Sequence, residues 1–265
     1  MPAPAHRTFH YHANAHVLSA QFKRPVEHLI EVQAATSLPT IGGHGNSRVE
    51  DFRFKEFVSF RKGYSHVSGS PQEIEGKTHF TTLVTAVAEG LNILDVVTAD
   101  RIVARFASSH TFDDQEPKFT MVGSKFDNLQ IAGCKTEVEL DIELFEKIPT
   151  FAAAIKEFKS NRDFRRIAED PFETGEKLPE QPQHGALLCS IVDQKKMKTT
   201  CPGVERKGHC FIIPKFGKLC LGEILLQHCR RTLTMIRVEL GSPVSGTGTV
   251  VQADSNGLPY PPKPT

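Results

Sequence analysis

The residues that could do chemistry begin with three carboxylates set in an apolar run. Residues 85–100 read TAVAEGLNILDVVTAD and carry Glu89, Asp95 and Asp100. Two carboxylates held close together can serve as the acid and the nucleophile of a glycosidase. Acids are equally typical of turns, where an Asp side chain bonds nearby backbone. We favour two buried strands joined by an acid-capped turn, with no catalytic residue; hydrolysis by these acids is the alternative.

The same stretch contains a change in its alternation. Ala86 and Ala88 continue one face of a strand, whereas Leu91 and Ile93 have the opposite parity. Gly90 lies between the two pairs, and an extra residue in one strand changes parity in this way. The sequence therefore predicts a β-bulge at Gly90.

A second chemical candidate is a group of histidines near the beginning of the sequence. His10, His12 and His16 are all even-numbered, so on one continuous strand they would share a face. A His-x-His pair on a strand is a spacing that suits zinc. Since no carboxylate or cysteine lies nearby in sequence to complete a ligand set, we favour a polar strand face. The sequence therefore predicts no cofactor, with zinc at these three histidines as the alternative.

The cysteines are the third candidate. The chain has six, five of them between Cys189 and Cys229, and none forms a C-x-x-C motif. A zinc ribbon or a thioredoxin-like site would need that motif. Cys189, Cys210 and Cys220 stand in apolar segments, where a cysteine acts as a small hydrophobic side chain. We therefore predict free thiols, and Cys201, in the polar stretch TTCPG, as the exposed and reactive one.

Composition and missing motifs exclude several classes of function. Lys and Arg number 32 and Asp and Glu 31, so no net charge attracts the chain to nucleic acid. The sequence lacks a phosphate-binding loop, a dinucleotide-binding fingerprint, a G-x-S-x-G elbow and an H-E-x-x-H motif. No apolar run is long enough to span a membrane. The first residues do not have the basic and apolar regions of a signal peptide, which predicts a cytoplasmic location.

The elements that would position these residues are mostly strands. EVELDIELF, residues 137–145, alternates acidic and apolar side chains, which predicts a half-buried antiparallel strand. FRFKEFVSF, residues 52–60, predicts another strand. PKFG, residues 214–217, lies between two further apolar runs and predicts the connection of a hairpin.

One segment has helical spacing instead. Thr150 is a candidate N-cap for a helix that runs through Phe158. This helix either continues past Asn161 or gives way there to a second short helix. Residues 146–184 are therefore predicted to form a helix-plus-loop insertion. The proline-rich tail, residues 259–265, is predicted to be frayed or extended.

Several short motifs, taken in order, resemble a known family. A TSLPTIGG turn is followed by TAVAEGLNILDVVTADRIV and then by FDNLQIAGCKTEVEL. Together they resemble the choice-of-anchor P family over residues 35–140. The matching residues are Ser37, Leu38, Pro39, Gly42, Gly43, Val87, Leu91, Asn92, Leu94, Thr98, Ala99 and Asp100. The resemblance implies a β-structured bacterial protein of a mostly secreted or surface-attached group with no established activity.

The chain departs from that family in three respects. It lacks the signal-peptide pattern, it has Asp95 and Val96 where the family tends to have two glycines, and it carries the helical insertion. The first departure is the basis for expecting a cytoplasmic protein although the resembled family is mostly exported.

These patterns predict an all-β protein with one antiparallel, sandwich-like domain over residues 5–258. A β-solenoid or flattened barrel is the alternative. The predicted function is a non-catalytic structural or interaction module that contacts a protein or a glycan. The alternative is a metal-dependent or carboxylate hydrolase that uses the histidines or acids described above. The sequence leaves the oligomeric state open.

Overall fold

The computed structural model describes residues 7–169, 171–173, 182 and 185–261. Strands account for 60% and helices for 9%, the sheets are mostly antiparallel, and none closes into a barrel within the described ranges. The predicted all-β, sandwich-like fold is therefore confirmed. No helix in this part of the chain is both long and apolar enough to cross a membrane.

The strands are between 2 and 17 residues long. The first twelve are β1 (Thr8–His10), β2 (Ala13–Arg24), β3 (His28–Gln33), β4 (Thr36–Ser37), β5 (Gly43–Phe54), β6 (Val58–Ile74), β7 (Lys77–Ile93), β8 (Val97–Thr111), β9 (Lys118–Thr120), β10 (Lys125–Asp127), β11 (Gln130–Ile131) and β12 (Cys134–Lys135). Three helices follow, α1 (Ile142–Glu146), α2 (Phe151–Ser160) and α3 (Arg162–Ile167). The remaining strands are β13 (Ala186–Ser190), β14 (Glu205–Lys207), β15 (Cys210–Ile213), β16 (Gly217–Gln227), β17 (Arg230–Leu240), β18 (Ser245–Ser255) and β19 (Leu258–Tyr260).

Two large antiparallel sheets and one short ribbon contain these strands. The eight-stranded sheet has the order β12-β11-β8-β7-β6-β5, and β9 and β10 also pair with β8. The nine-stranded sheet has the order β14-β15-β16-β17-β18-β2-β3, with β13 on β16 and β4 on β2. The ribbon consists of β1 and β19. The tail was predicted to be frayed or extended, and its residues 259 and 260 belong to the extended strand β19. Residues 262–265 lie outside the described part of the chain.

The core lies between the inner faces of the two large sheets. Strand β7 contributes Val84, Ala86 and Ala88, and β2 contributes Ala15 and Val17, each at most 2% exposed. These residues recur at every second position because successive side chains of a strand point to opposite faces. The alternation in the sequence of β7 is therefore the alternation between core and surface.

In each large sheet, one row of cross-strand neighbours marks the point at which the buried side chains of a strand pass from even-numbered to odd-numbered positions, or the reverse. We call this row the parity row. In the eight-stranded sheet the row consists of neighbours on four strands: Asp51, Arg61, Gly90 and Asp100. Asp51 has a φ of 50° and Gly90 a φ of 66°. Ala88 and Leu91, on either side of Gly90, both belong to the core. The register is the same on both sides of the row. The predicted bulge is therefore wrong, because no residue is inserted and adjacent strands change parity together.

The parity row of the nine-stranded sheet follows the same rule. It consists of Gly222, Met235, Val251 and Val17. Gly222 has a φ of 59° and Val251 a φ of 57°. On β16 the core side chains are Leu221 before the row and Ile224 after it. Cys220 and Glu223 are consequently both directed to the outer face, although an uninterrupted strand would place them on opposite faces.

The segment predicted as one strand at residues 52–60 is a hairpin. Strand β5 ends at Phe54, β6 begins at Val58, and a turn joins them. Phe52 pairs with Phe60, and their ring centroids lie 5.0 Å apart. Residues that face each other across this turn have the same parity, so alternation alone does not distinguish the hairpin from one strand. The predicted connection at residues 214–217 is confirmed, since β15 ends and β16 begins there.

The prediction of a strand at residues 137–145 is wrong. Its β pairing is limited to isolated bridges at Glu137 and Leu140, and α1 occupies its second half. The Asp141 carboxylate accepts a hydrogen bond from the Leu144 backbone N–H at 3.2 Å. This contact is a helix N-cap, and it stabilises a helical turn where the side-chain pattern alone favours a strand.

The helical insertion has the capping residues that the sequence indicates. The Thr150 hydroxyl accepts a hydrogen bond from the Ala153 N–H at 3.2 Å at the start of α2. The Asn161 side chain accepts from Asp163 N–H at 2.9 Å and from Phe164 N–H at 3.2 Å. Asn161 therefore ends one helix and begins a second. Most of the loop that the predicted insertion has after α3 lies outside the described residues.

Candidate functional site

The turn at the centre of the acidic stretch is held by local hydrogen bonds. Asn92 donates from its side chain to the Asp95 carboxylate at 2.6 Å and accepts from the Asp95 backbone N–H at 2.8 Å. Leu94 and Asp95 have φ values of 54° and 55°. Asp95 is exposed, Leu94 is half-buried and Val97 is fully buried. The turn that joins β7 and β8 is therefore capped by Asn92, and the carboxylate of Asp95 binds the Asn92 side chain where the sequence predicted a bond to the turn backbone.

The other two acids of this stretch have separate partners. Glu89 lies opposite Arg101 on β8, with 3.7 Å between the carboxylate and Nε of the guanidinium. Asp100 accepts a hydrogen bond from the Asn128 side chain at 3.2 Å. Each acid is therefore engaged by a neighbour that stabilises a strand or a turn, and none of these contacts joins two carboxylates.

The histidines near the beginning of the chain do not lie on one continuous strand. Strand β1 ends at His10 and β2 begins after His12. His10 stacks on the Tyr260 ring with centroids 5.3 Å apart. The Nε2 atom of His16 lies 3.3 Å from the Thr249 hydroxyl. Burial lowers the pKa of His16, and the charge of nearby Asp254 opposes this shift. These three histidines do not form a metal-ligand group among the described residues.

The prediction of free thiols is wrong for four of the six cysteines, which form two disulfides. Cys201 is bonded to Cys134, so it is not the reactive thiol that the sequence predicted. The two segments lie side by side, since Glu137 and Lys198 form an antiparallel bridge close to both cysteines. A sequence separation of 67 residues hides this proximity. A second disulfide joins Cys210 to Cys220 across β15 and β16. Cys189 and Cys229 are free and buried.

A buried polar cluster surrounds the second disulfide. Its members are His209, Cys210, Cys220 and Glu223, which are at most 3% exposed, and Arg237 beside them. Arg237 donates to the two carboxylate oxygens of Glu223 at 2.6 and 2.8 Å and to Sγ of Cys220 at 3.3 Å. Desolvation raises the pKa of Glu223, but hydrogen bonds from Arg237 and His209 outweigh it, so the net shift is downward.

Three local features bring this cluster together. Cys210 and Cys220 are directly opposed in the hairpin of β15 and β16. The parity row at Gly222 turns Glu223 to the same face as Cys220. His209 lies just before β15, at the point where the edge of β16 passes from β15 to β13, and its carbonyl accepts from the Leu221 N–H at 3.1 Å. Sequence analysis did not connect these residues, although the predicted hairpin at residues 214–217 places the two cysteines opposite each other.

A second buried charge anchors the helical insertion. The Arg231 guanidinium lies 4.7 Å from the centroid of the Phe119 ring and donates to the Arg230 carbonyl at 2.9 Å. Burial lowers the pKa of Arg231 to about 10, and attraction by Glu116 opposes that shift. Glu116 also accepts from the Phe151 N–H at 2.6 Å, at the first turn of α2. This pair of charges has a structural role in joining α2 to the sheet.

A groove of about 430 Å³ runs over one side of the eight-stranded sheet, and we call it the hydroxyl groove. Seven of its twelve lining residues carry a hydroxyl, and the complete lining is Ser68, Ser70, Gln72, Thr81, Thr82, Leu83, Ala107, Ser108, Ser109, Lys118, Phe119 and Thr120. Two cross-strand rows form its floor. One row is Ser70, Thr81, Ser109 and Lys118, and the other is Ser68, Leu83, Ala107 and Thr120. The groove therefore combines polar side chains with a small apolar floor, and its lining contains no carboxylate.

Comparison with known proteins identifies one family. The family model described as a domain of unknown function, DUF8256, matches residues 9–178 and 168–227. No curated protein and no solved structure matches the chain. The resemblance to the choice-of-anchor P family stays a prediction.

Proposed function

The chain belongs to the DUF8256 family, whose description names no activity, and from the geometry we propose that it is a non-catalytic binding module whose ligand is a glycan. The hydroxyl groove is the observation that carries this proposal. The groove crosses β6, β7, β8 and β9, where cross-strand neighbours are about 4.7–4.9 Å apart. A chain of sugar rings offers hydroxyls at comparable intervals along an extended ligand.

The chemistry of the lining suits a polyhydroxylated ligand. A serine or threonine hydroxyl both donates and accepts, as a sugar hydroxyl does. Thr81 donates to the Ser70 carbonyl at 3.1 Å, and the Ser109 hydroxyl lies 3.3 Å from Nδ1 of His79. Within the described part of the chain, the hydroxyls of Ser68 and Ser70 have no hydrogen-bond partner. Leu83 and Ala107 supply an apolar surface against which the C–H face of a sugar ring can pack.

The absence of acids from the lining favours binding over hydrolysis. Glycosidases place two carboxylates on either side of the bond that they cleave. Lys118 is the one ionisable residue among those that line the groove. The residues that line the groove therefore lack the carboxylate pair of a glycosidase, which favours holding a glycan over cleaving it.

Binding to immobilised neutral and acidic polysaccharides tests the proposal. Ser68→Tyr and Ser70→Tyr place a bulky ring in the groove and should each weaken binding at least about tenfold, since one lost hydrogen bond and a steric overlap together exceed 1.4 kcal/mol. Ser19→Tyr is the matched control, because Ser19 lines a separate groove on the nine-stranded sheet. The proposal fails if the wild-type protein binds no polysaccharide at millimolar concentration, or if both groove variants bind as the control does.

A further inference from the structure

The cluster around the second disulfide has the composition of a transition-metal site. We propose that His209, Cys210, Cys220 and Glu223 bind a divalent, zinc-type ion when the disulfide between the two cysteines is reduced. Two thiolates, one imidazole and one carboxylate form a ligand set that zinc accepts in tetrahedral geometry. This site is separate from the hydroxyl groove, and the proposed glycan binding does not depend on it.

The ligand atoms already lie close to one another. One ligand atom from each of the four residues lies within 4.8 Å of the other three. Around zinc, bond lengths of about 2.0–2.3 Å place tetrahedral ligand atoms about 3.3–3.8 Å from each other. Breaking the disulfide lets the two sulfur atoms separate toward that spacing, while His209 and Glu223 move slightly inward. Small side-chain movements would therefore bring the cluster to tetrahedral geometry, since Cys210 and Cys220 already lie opposite each other on β15 and β16.

His209 supplies an independent reason to expect a ligand. Its side chain is 1% exposed. Nε2 lies 3.4 Å from the Glu223 carboxylate, whereas Nδ1 is buried with no hydrogen-bond partner among the described residues. Buried polar atoms are normally hydrogen-bonded. Among the described residues the imidazole is therefore held by one long contact, from Nε2 to Glu223, and it can turn toward an ion bound beside the two cysteines and the carboxylate.

Arg237 completes the electrostatics of the proposed site. In the metal-bound state two thiolates and the Glu223 carboxylate carry three negative charges. A divalent ion and the Arg237 guanidinium carry three positive charges, which balance the charges of these three ligands; Arg237 is also paired with the partly exposed Glu239, which in turn pairs with Lys218. Arg237 contacts both Glu223 and Cys220, which is the position of an outer residue that orients the ligands of a metal.

Formation of the metal site first requires reduction of the disulfide, and a dithiol is a suitable reductant. The dithiol supplies two electrons and two protons to the bond between Cys210 and Cys220 and becomes a disulfide itself. Zinc then displaces the two thiol protons into solvent and binds the resulting thiolates. In the reverse direction, thiol–disulfide exchange with the oxidised form of the dithiol takes two electrons from the thiolates, and that dithiol takes up two protons from solvent. The disulfide between Cys210 and Cys220 forms again, two of the four ligands are lost and the ion is released. The site is therefore a redox-dependent metal site.

Cobalt(II) titration of the intact chain tests the proposal, since a thiolate-bound cobalt ion gives a near-ultraviolet charge-transfer band that oxygen and nitrogen ligands do not give. Protein reduced with a phosphine that binds metal weakly should take up one equivalent and show this band. Zinc should displace the cobalt and abolish the band. The oxidised protein should bind at least about a hundredfold more weakly, because two of its ligands are missing.

Two matched pairs of substitutions locate the ion. C210S/C220S should abolish the band, whereas C134S/C201S removes the other disulfide and should keep it. His209→Gln should weaken cobalt binding at least about tenfold, as loss of a ligand-orienting group or ligand does. Far-ultraviolet circular dichroism checks that each variant is folded. A reduced chain that unfolds without metal and refolds with zinc also supports the proposal, because binding is then coupled to folding.

The proposal is overturned by any of three results. These are a folded, reduced wild-type protein that takes up no cobalt, a band that survives in C210S/C220S, and a reduced chain that stays unfolded with and without zinc. Loss of the band in C134S/C201S, with the band kept in C210S/C220S, would assign the thiolates to the other pair and would also overturn it.

Discussion

Replacing Gly90 with alanine should destabilise the protein more than the same replacement at Gly76. Both glycines have positive φ, 66° and 72° respectively. An added Cβ at Gly90 would lie 3.1 Å from Cβ of Arg61, its neighbour in the parity row. At Gly76, in the turn between β6 and β7, nothing lies within 4 Å of an added Cβ. The pair therefore separates backbone strain from packing strain.

The size of the excess destabilisation in Gly90→Ala follows from the one energy term that the two variants do not share. An alanine in left-handed conformation costs roughly 1–2 kcal/mol. Loss of glycine's freedom in the unfolded chain offsets roughly 0.4–1 kcal/mol of that cost. Both terms apply equally to Gly76 and Gly90. The contact with Arg61 applies to Gly90 alone, and overpacking of this kind adds roughly 1–3 kcal/mol. We expect an excess at the lower end, about 1 kcal/mol, because the contact exceeds 3.0 Å.

Chemical unfolding followed by far-ultraviolet circular dichroism measures this excess as a difference between two midpoints at equal slope. Thermal midpoints should differ by roughly 2–4 °C for each kcal/mol. Gly222→Ala should show an excess at least as large, since its added Cβ would lie 2.9 Å from Cγ2 of Val192. Equal free energies of unfolding for Gly90→Ala and Gly76→Ala would refute the reasoning that a side chain at position 90 is crowded by Arg61.

Three further predictions concern the turn, the pH dependence of stability and the thiols. Val97→Ala should lower the unfolding free energy by about 2 kcal/mol through lost burial, clearly more than Asp95→Asn, and thermal midpoints compare the two. Burial lowers the pKa of His110 in the folded state from 6.5, so this histidine is protonated in the unfolded chain first as the pH falls. Its contribution to the free energy of unfolding should be complete above about pH 6.5 and should decrease below that pH. His110→Gln should reduce the dependence of the unfolding free energy on pH in this range. Thiol titration in denaturant without reductant should find two thiols, Cys189 and Cys229, among the six cysteines, and all six after reduction; six without reductant would contradict both disulfides.

The sequence was sufficient to predict an element of the fold where a single local pattern determines that element. The alternation of Val84, Ala86 and Ala88 predicted a core strand, and Thr150 predicted a helix start. It was insufficient where two local signals compete. In residues 137–145 the alternation favours a strand, but the capping carboxylate of Asp141 favours a helical turn, and the helix formed.

The candidate sites were harder to predict because they depend on contacts between distant segments. Cys134 and Cys201 are 67 residues apart, and no spacing rule joins them. Cys210 and Cys220 were within reach of the sequence, because they lie four residues before and three residues after the predicted hairpin connection at residues 214–217. Glu223 was not, because its orientation depends on the change of parity at Gly222.

The parity rows have a consequence for misfolding. A strand with uniform alternation can slip by two residues and still bury its apolar side chains, which leads to mispaired hairpins and exchanged strands. Such a slip in β7 would move Gly90 away from its place in the parity row. A residue with a side chain would then occupy that place and would have to adopt the left-handed conformation that Gly90 has there. The same penalty applies at Gly222 in the other sheet. Each parity row thus disfavours register errors in the long strands that it crosses. It also disfavours slipped pairing between two copies of the chain during aggregation.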